Sequence, residues 1–389
     1  SIFYSRSRKN YYPNLVRVEP LDELTVRMTF AKPNVNQLYN MMNFGSPIYA
    51  PSCLADDGSF TGTARGTGPF RIAENVQDRY VVLERNEDYY GEKARARRIL
   101  IRTIPSPDVR FAALKAEEIM GVLDVSAMPP VLADELAQDE RFAVSVSRSI
   151  MVRYLALNGT RPPFNDVRMR RAVSLLLDRR LLVDALYLGY AVPTTNLLSI
   201  SSPFYKEFPA ARDVAEAKWL AHEVLGDARQ EIVYCVNGAD PIAKGEAELI
   251  AYWLADIGLD VRIEALEAPM LTARMRRGDY DIARSQQGLP NGDPLYVFKG
   301  FFAPNGPRNK ALSLGYDNPE VNALLAELDT AADEGRRRAL FDRLQEIGVE
   351  EQPVVPLYFD ENIVVYNAAR LTGYRALRYG VSLAEVAWR

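Results

Sequence analysis

His222 is the single histidine of this 389-residue sequence, so any reaction that needs an imidazole has one place to find it. It sits in Ala217-Lys218-Trp219-Leu220-Ala221-His222-Glu223, an amphipathic helical pattern, and no Gly-x-Ser-x-Gly elbow accompanies it. A surface or half-buried helical histidine is expected. Cys53 and Cys235 stand far apart without a Cys-x-x-Cys, and no His-Glu-x-x-His occurs. Neither a disulfide between them nor a bound metal is expected. Gly66-Thr67-Gly68 lacks the third glycine of a dinucleotide fingerprint and runs into Pro69, which makes a turn rather than a phosphate cradle. The pairs Asp56-Asp57 and Glu117-Glu118 lack the apolar surroundings that would raise one carboxyl for acid catalysis. No catalytic residue and no cofactor is expected, and the chain does not read as an enzyme.

Recognition chemistry is better represented. The 21 tyrosines offer large rigid faces with one polar tip, though most belong in strands and cores. After the strand-like Tyr280-Asp281-Ile282-Ala283 comes Arg284-Ser285-Gln286-Gln287-Gly288-Leu289-Pro290-Asn291-Gly292-Asp293-Pro294. A strand running into Arg, two glutamines and a Gly/Pro-rich turn sets polar donors at a strand end, where α/β proteins hold ligands. A plain surface loop is the competing reading.

The elements that must position these groups alternate between strand and helix. Val16 to Pro20 and Thr25 to Phe30 form a hairpin; Phe70 to Ala73, Tyr80 to Arg85 and Ile99 to Ile104 are further strands. Pro107 opens a helix. A central helix is capped by Asn165 or Asp166 and closed by Gly189. Its apolar stripe is Val167, Ala172, Val173, Leu176 and Leu177, while Arg168, Arg170, Arg171 and Arg179 are expected to stay wet. Helices follow over Val214 to Leu225, Glu246 to Ile257, Asn318 to Thr330 and Glu334 to Glu350, with strands at Leu259 to Ala265, Val354 to Phe359 and Ile363 to Tyr366. The tail after Arg370 reads as irregular. This order argues for an α/β chain, and the length argues for two lobes. A formal net charge of −4 gives no reason to expect nucleic acid or an anionic membrane as partner. No apolar run is long enough to span a bilayer, and no leader peptide is visible at Ser1.

Several segments resemble the extracellular solute-binding proteins of ABC importers, the oligopeptide, dipeptide and nickel-binding family. Gly66-Thr67-Gly68-Pro69-Phe70 with Glu84-Arg85-Asn86-Glu87-Asp88-Tyr89-Tyr90-Gly91 resembles the paired signature of the first lobe. Leu157-Asn158 with Pro162-Pro163-Phe164-Asn165-Asp166-Val167-Arg168-Met169-Arg170-Arg171-Ala172 is similar to the central motif. Asp178-Arg179-Arg180 and Val354-Val355-Pro356-Leu357-Tyr358 follow in order. The resemblance implies a two-lobed periplasmic-binding-protein fold of type II with a hinge and an interlobe cleft. Lobe one would be residues 1–148 with 363–389 returning to it, and lobe two 149–362. It also implies a longer N-terminal part in family members than is present here.

The function so implied is a receptor that captures a small organic ligand, peptide-like, opine or sugar-conjugated, or a chelate, and delivers it to an ABC permease. It would act in the periplasm or outside the cell, as a monomer. A ligand-sensing domain of a transcription regulator is the alternative. The expected ligand-binding residues are Asn43, Phe44, Tyr49, Arg284, Gln286, Gln287, Leu289 and Asn291. Arg284 matches an arginine that some peptide binders set against the ligand carboxylate. Pro290 stands where peptide binders hold the peptide amine with an aspartate, so a ligand with an anionic or strongly polar group and no essential ammonium is expected. An Arg284 completed internally by a neighbouring acid is the competing possibility.

Overall fold

The computed structural model describes residues 12–389 apart from 13, 33–36, 42–46, 56–58, 60, 62, 125–126, 289–293 and 379. The chain divides into two compact units, Ser1–Ser149 with Glu361–Arg389, and Ile150–Asp360.

The first unit begins with the hairpin β1 (Leu15–Pro20) and β2 (Val26–Phe30), then the short helix α1 (Gln37–Met41). β3 (Phe70–Val76), β4 (Tyr80–Arg85) and β5 (Arg98–Arg102) form an antiparallel sheet in that order. Helices α2 (Pro107–Lys115) and α3 (Pro130–Ala137) follow. Ser106 caps α2 by accepting from the Val109 amide, and Pro107 fits the first turn, where its missing N–H is not needed.

β6 (Phe142–Leu157) leads into the second unit. There follow α4 (Val167–Leu176), α5 (Arg179–Tyr187), β7 (Ala191–Pro193), α6 (Val214–Leu225), β8 (Gln230–Asn237), α7 (Pro241–Leu254) and β9 (Leu259–Leu266). α8 (Ala268–Arg277), β10 (Ile282–Gly288), α9 (Pro294–Phe302), α10 (Pro307–Ala311), α11 (Pro319–Leu328), α12 (Glu334–Glu351) and β11 (Val355–Asn367) complete it. One mixed sheet, ordered β7-β11-β6-β10-β8-β9, is its spine. β8 and β9 pair in parallel, which the crossover through α7 makes possible.

Alternate residues of β6 enter opposite cores. Leu155 and Leu157 join the cluster built with α4 to α7, while Tyr154 and Ala156 join the aromatic cluster of Phe298, Phe301, Phe302 and Phe341. The period of two sends successive side chains to opposite faces, so the sheet is covered by a helical layer on each. The chain then closes the first unit with the pairs β12 (Leu371–Thr372) with β15 (Ala387–Trp388) and β13 (Ala376–Leu377) with β14 (Gly380–Val381).

Five expectations need correction. The central helix is two helices, broken at Leu177 and restarted by Asp178, whose carboxylate accepts from the Leu181 amide. Val167 is exposed, because it is the first residue of α4 and lies off the stripe. The two late strands are one continuous β11, and the tail carries short strands.

Arg179 is the fifth. It is buried, donating to the Ser174 carbonyl and hydroxyl and to the Pro356 carbonyl. These acceptors belong to the last turn of α4 and to β11, so tertiary partners draw in a side chain that helix phase alone sends outward. Burial pushes its guanidinium down to about 10, still charged at neutral pH. Arg179→Ala strands three acceptors and is expected to cost about 2–3 kcal/mol of unfolding free energy in urea denaturation. A loss under about 0.5 kcal/mol contradicts this role.

Candidate functional site

The sequence Arg284-Ser285-Gln286-Gln287 is not a loop beyond a strand end: it lies inside β10. β10 pairs with β6 along its whole length, Arg284 opposite Leu155, Gln286 opposite Arg153 and Gly288 opposite Met151. Alternation puts Ile282, Arg284 and Gln286 on one face and Ala283, Ser285 and Gln287 on the other. The strand continues past Ala283 because a seven-residue ladder on β6 carries it to Gly288, where the Gly/Pro-rich run begins.

Arg284 is the centre of the polar constellation on that face. Its side chain is 9% exposed, and its ion partner Glu246 is fully buried. α7 carries Glu246 inward: Asp240 caps the helix by accepting from the Ala243 amide, and Ala243, Ala247, Ile250 and Leu254 form its buried face. Glu246 falls on that same stripe by helix phase.

Arg284 Nη1 donates to Asp240 Oδ2 at 3.0 Å. Nη2 donates to the hydroxyls of Tyr187 at 2.9 Å and Tyr358 at 3.0 Å. Nε lies 3.0 Å from Glu246 Oε1, but the N–H is not aimed at that oxygen, so the contact is an ion pair without an aligned hydrogen bond. Tyr358 in turn donates to Glu246 Oε2 at 2.5 Å, and the two tyrosine hydroxyls meet at 2.7 Å.

Burial works against the Arg284 charge, but Glu246, the two tyrosines and Asp240 outweigh it and hold the guanidinium ionised. Burial pushes the Glu246 carboxyl up, offset only in part by Arg284 and the Tyr358 hydrogen bond. Tyr187 is pushed up to about 12 by burial, so both hydroxyls stay protonated and act as donors. A second pair adjoins: Arg153 on β6 grips Asp360 on β11 with Nε–Oδ2 at 2.8 Å and Nη2–Oδ2 at 2.7 Å. Towards solvent the network ends in half-buried Asp240, Arg153 and Asp360 and in exposed Gln286.

This accounts for the expected residues as follows. Arg284 and Gln286 share one face; Gln287 is buried on the other, donating to the Gly288 carbonyl at 2.5 Å. Tyr49 is half-buried in the first unit, and Asn43, Phe44, Leu289 and Asn291 lie outside the described residues. Sequence reasoning missed Asp240, Glu246, Tyr187, Tyr358, Arg153 and Asp360. One signal for Glu246 was available, an acid on the apolar stripe of its own helix. Tyr187 on α5 and Tyr358 and Asp360 on β11 carried none, because only tertiary packing brings α5 and β11 beside β6 and β10.

His222 is exposed on α6 with Nδ1 3.0 Å from the Gly226 carbonyl, and Cys53 and Cys235 are both buried and free. Among the described residues no group of His, Cys, Asp and Glu is arranged to hold a metal ion, and no helix is long and apolar enough to cross a membrane.

An α/β spine with helices on both faces carries this polar set on β10, β6 and β11, and comparison with known proteins gives its class. The model of the bacterial extracellular solute-binding proteins, family 5, matches residues 3–309, and the chain belongs to that family. The probable D,D-dipeptide-binding periplasmic protein DdpA of Escherichia coli is 25% identical over 362 residues, covering 89% of this chain and 68% of the relative. The glutathione-binding protein GsiB of Salmonella paratyphi A is 24% identical over 376 residues, covering 94% and 73%. Among solved structures, NikA from Brucella suis in complex with Fe(III)-EDTA superposes with a TM-score of 0.86 at 24% identity, covering 99% of this chain and 82% of that one. The fold is thus the two-lobed α/β fold of periplasmic binding proteins. The chain is a solute-binding receptor of ABC import, not the sensing domain of a regulator. Its family consists of transport-associated binding proteins that take small-molecule ligands and work with ABC permeases.

Proposed function

We propose that this receptor takes a small, amide-rich, peptide-like solute and holds it against the polar face of β10, outside the cytoplasmic membrane, as a monomer that hands its ligand to a permease. The observation that carries the reading is the grouping of exposed Gln286 on β10 with the half-buried Arg153 on β6, Asp360 on β11 and Asp240 at the start of α7. A carboxamide both donates and accepts, which matches peptide groups in either direction. Of the two tasks its sequence allows, Arg284 takes the internal one. Its guanidinium is occupied by Asp240, Tyr187, Tyr358 and Glu246, so no ligand carboxylate is needed to complete it, and it fixes the wall instead. The D,D-dipeptide and glutathione relatives bind solutes of this amide-rich kind.

Native mass spectrometry of the purified protein identifies what it retains, and calorimetry against short peptides with free and acetylated amino termini tests the chemistry. Acetylation is expected to change affinity less than about threefold, since neutral amide contacts dominate. A loss above about tenfold overturns the amide reading in favour of an ammonium held by Asp240. Gln286→Ala is expected to weaken binding about 3–10-fold, one hydrogen bond's worth, and His222→Ala to leave it unchanged.

A further inference from the structure

Glu246 is buried completely, whereas the other acids of the β10 network reach solvent, Asp240 at 33% and Asp360 at 18% side-chain exposure. Its two oxygens are served unequally. Oε2 accepts from the Tyr358 hydroxyl, while Oε1 accepts no hydrogen bond from any described residue and meets Arg284 as a charge alone. A buried carboxylate with one oxygen unserved gains more from a proton than a hydrated one does. Burial accordingly raises this carboxyl, offset in part by Arg284 and the Tyr358 hydrogen bond.

The groups that face Glu246 come from every element packed around it. Arg284 on β10 and Tyr358 on β11 touch it, and Arg153 on β6 and Asp240 at the start of α7 act on it through charge. Tyr187 on α5 and Tyr234 on β8 lie close enough to feel its charge, and burial keeps the phenols of Tyr187, Tyr234 and Tyr358 protonated. Glu246 is thus the buried member of this set that a change of one proton can neutralise.

That proton alters the balance of the whole face. With Glu246 ionised, three carboxylates (Glu246, Asp240, Asp360) stand against two guanidiniums (Arg284, Arg153), a net charge of −1; with Glu246 protonated the two signs balance. Arg284 feels the difference most. Without the Glu246 charge its acceptors are two neutral hydroxyls and Asp240, whose other oxygen is already taken by the Ala243 amide. An anion beside Gln286, two residues along β10, lies about 7 Å from the Arg284 position. At that range and in partly buried surroundings, one unit of charge changes affinity about tenfold.

We propose that Glu246 decides whether this receptor reads an anionic group on its solute: ionised, it completes Arg284 and leaves the face without attraction for a carboxylate, and protonated, it leaves Arg284 short of an anion that the solute then supplies. Glu246 acts through Arg284 and does not itself touch the solute. The inference rests on the reading that a peptide-like solute lies against β10.

Calorimetry with acetylated trialanine and with its C-terminal carboxamide, at pH 8 and pH 5, tests it. The peptide carboxylate is ionised at both values. The acid is expected to bind no tighter than the amide at pH 8 and about tenfold tighter at pH 5. By linkage, acid binding between these values takes up protons, approaching about one per complex, and amide binding takes up fewer; titration in two buffers of different ionisation enthalpy counts them. Glu246→Gln is expected to prefer the acid about tenfold at both pH values and to take up no proton, which an acid with a purely structural role would not produce. The proton count uses the unaltered chain and decides the question even where that variant fails to fold. Discrimination that is equal at the two pH values, or a pH dependence that survives in Glu246→Gln, overturns the proposal and leaves the peptide-like reading standing. Binding of neither peptide overturns that reading and this inference with it.

Discussion

Arg284→Met is expected to cost about 3–5 kcal/mol at neutral pH, the usual penalty for removing one member of a buried ion pair. The reason lies less in the attraction lost than in what remains: Glu246, fully buried, keeps only the Tyr358 hydrogen bond against its desolvation. The pH dependence identifies the cause. Burial raises the folded Glu246 carboxyl above its ordinary value, and loss of Arg284 raises it further. Between the unfolded carboxyl value and that raised folded value the native state binds more protons than the unfolded one. Stability therefore rises as pH falls through this window, and the penalty of Arg284→Met shrinks towards pH 5. Adding Glu246→Gln removes the stranded charge and is expected to recover most of the loss at neutral pH. Urea unfolding at pH 5 and 8, followed by amide exchange at Tyr234 and Ile282, reads the second unit specifically. A penalty below about 1 kcal/mol, or one that does not change with pH, rules out the buried pair as the organiser of this face.

The second large effect is expected at Gly159. A Cβ there would sit 2.0 Å from the Leu314 carbonyl oxygen and 3.0 Å from its carbon, both main-chain atoms that cannot rotate away. The Gly159 side of the contact is anchored: the Asn158 side chain donates to the Gly278 and Tyr280 carbonyls and accepts from the Thr160 amide and hydroxyl. Gly159→Ala must part these two segments and is expected to cost about 3 kcal/mol in denaturant unfolding. At Gly68, from the Gly-Thr-Gly-Pro signature, an added Cβ would meet nothing within 4 Å, and Gly68→Ala is expected to stay within about 0.5 kcal/mol. Similar costs for the two substitutions would mean that chain entropy, not the Leu314 contact, sets the value of Gly159.

Local signals carried well where a single segment decides the outcome. Tyr80–Arg85 and Val214–Leu225 form where alternation and helical spacing place them, and Asp166 caps α4 as its position predicts. The motif order from Gly66 to Tyr358 was enough to identify the family, since it preserves short-range constraints that survive at low identity. One histidine and two isolated cysteines fix that part of the inventory before any folding.

What the sequence left undecided depends on partners far along the chain. Arg179 turns inward because β11, 177 residues later, offers it a carbonyl. By sequence Arg284 suits either a ligand carboxylate or a neighbouring acid of its own chain, and only the fold brings Asp240 and Glu246 on α7 and Tyr358 on β11 around it. Residue type and spacing determine which side chains are available and which face of their own element they occupy. Only tertiary pairing decides which charges are already neutralised and which donors remain for something else, because electrostatic and hydrogen-bond partners are set by distance in space.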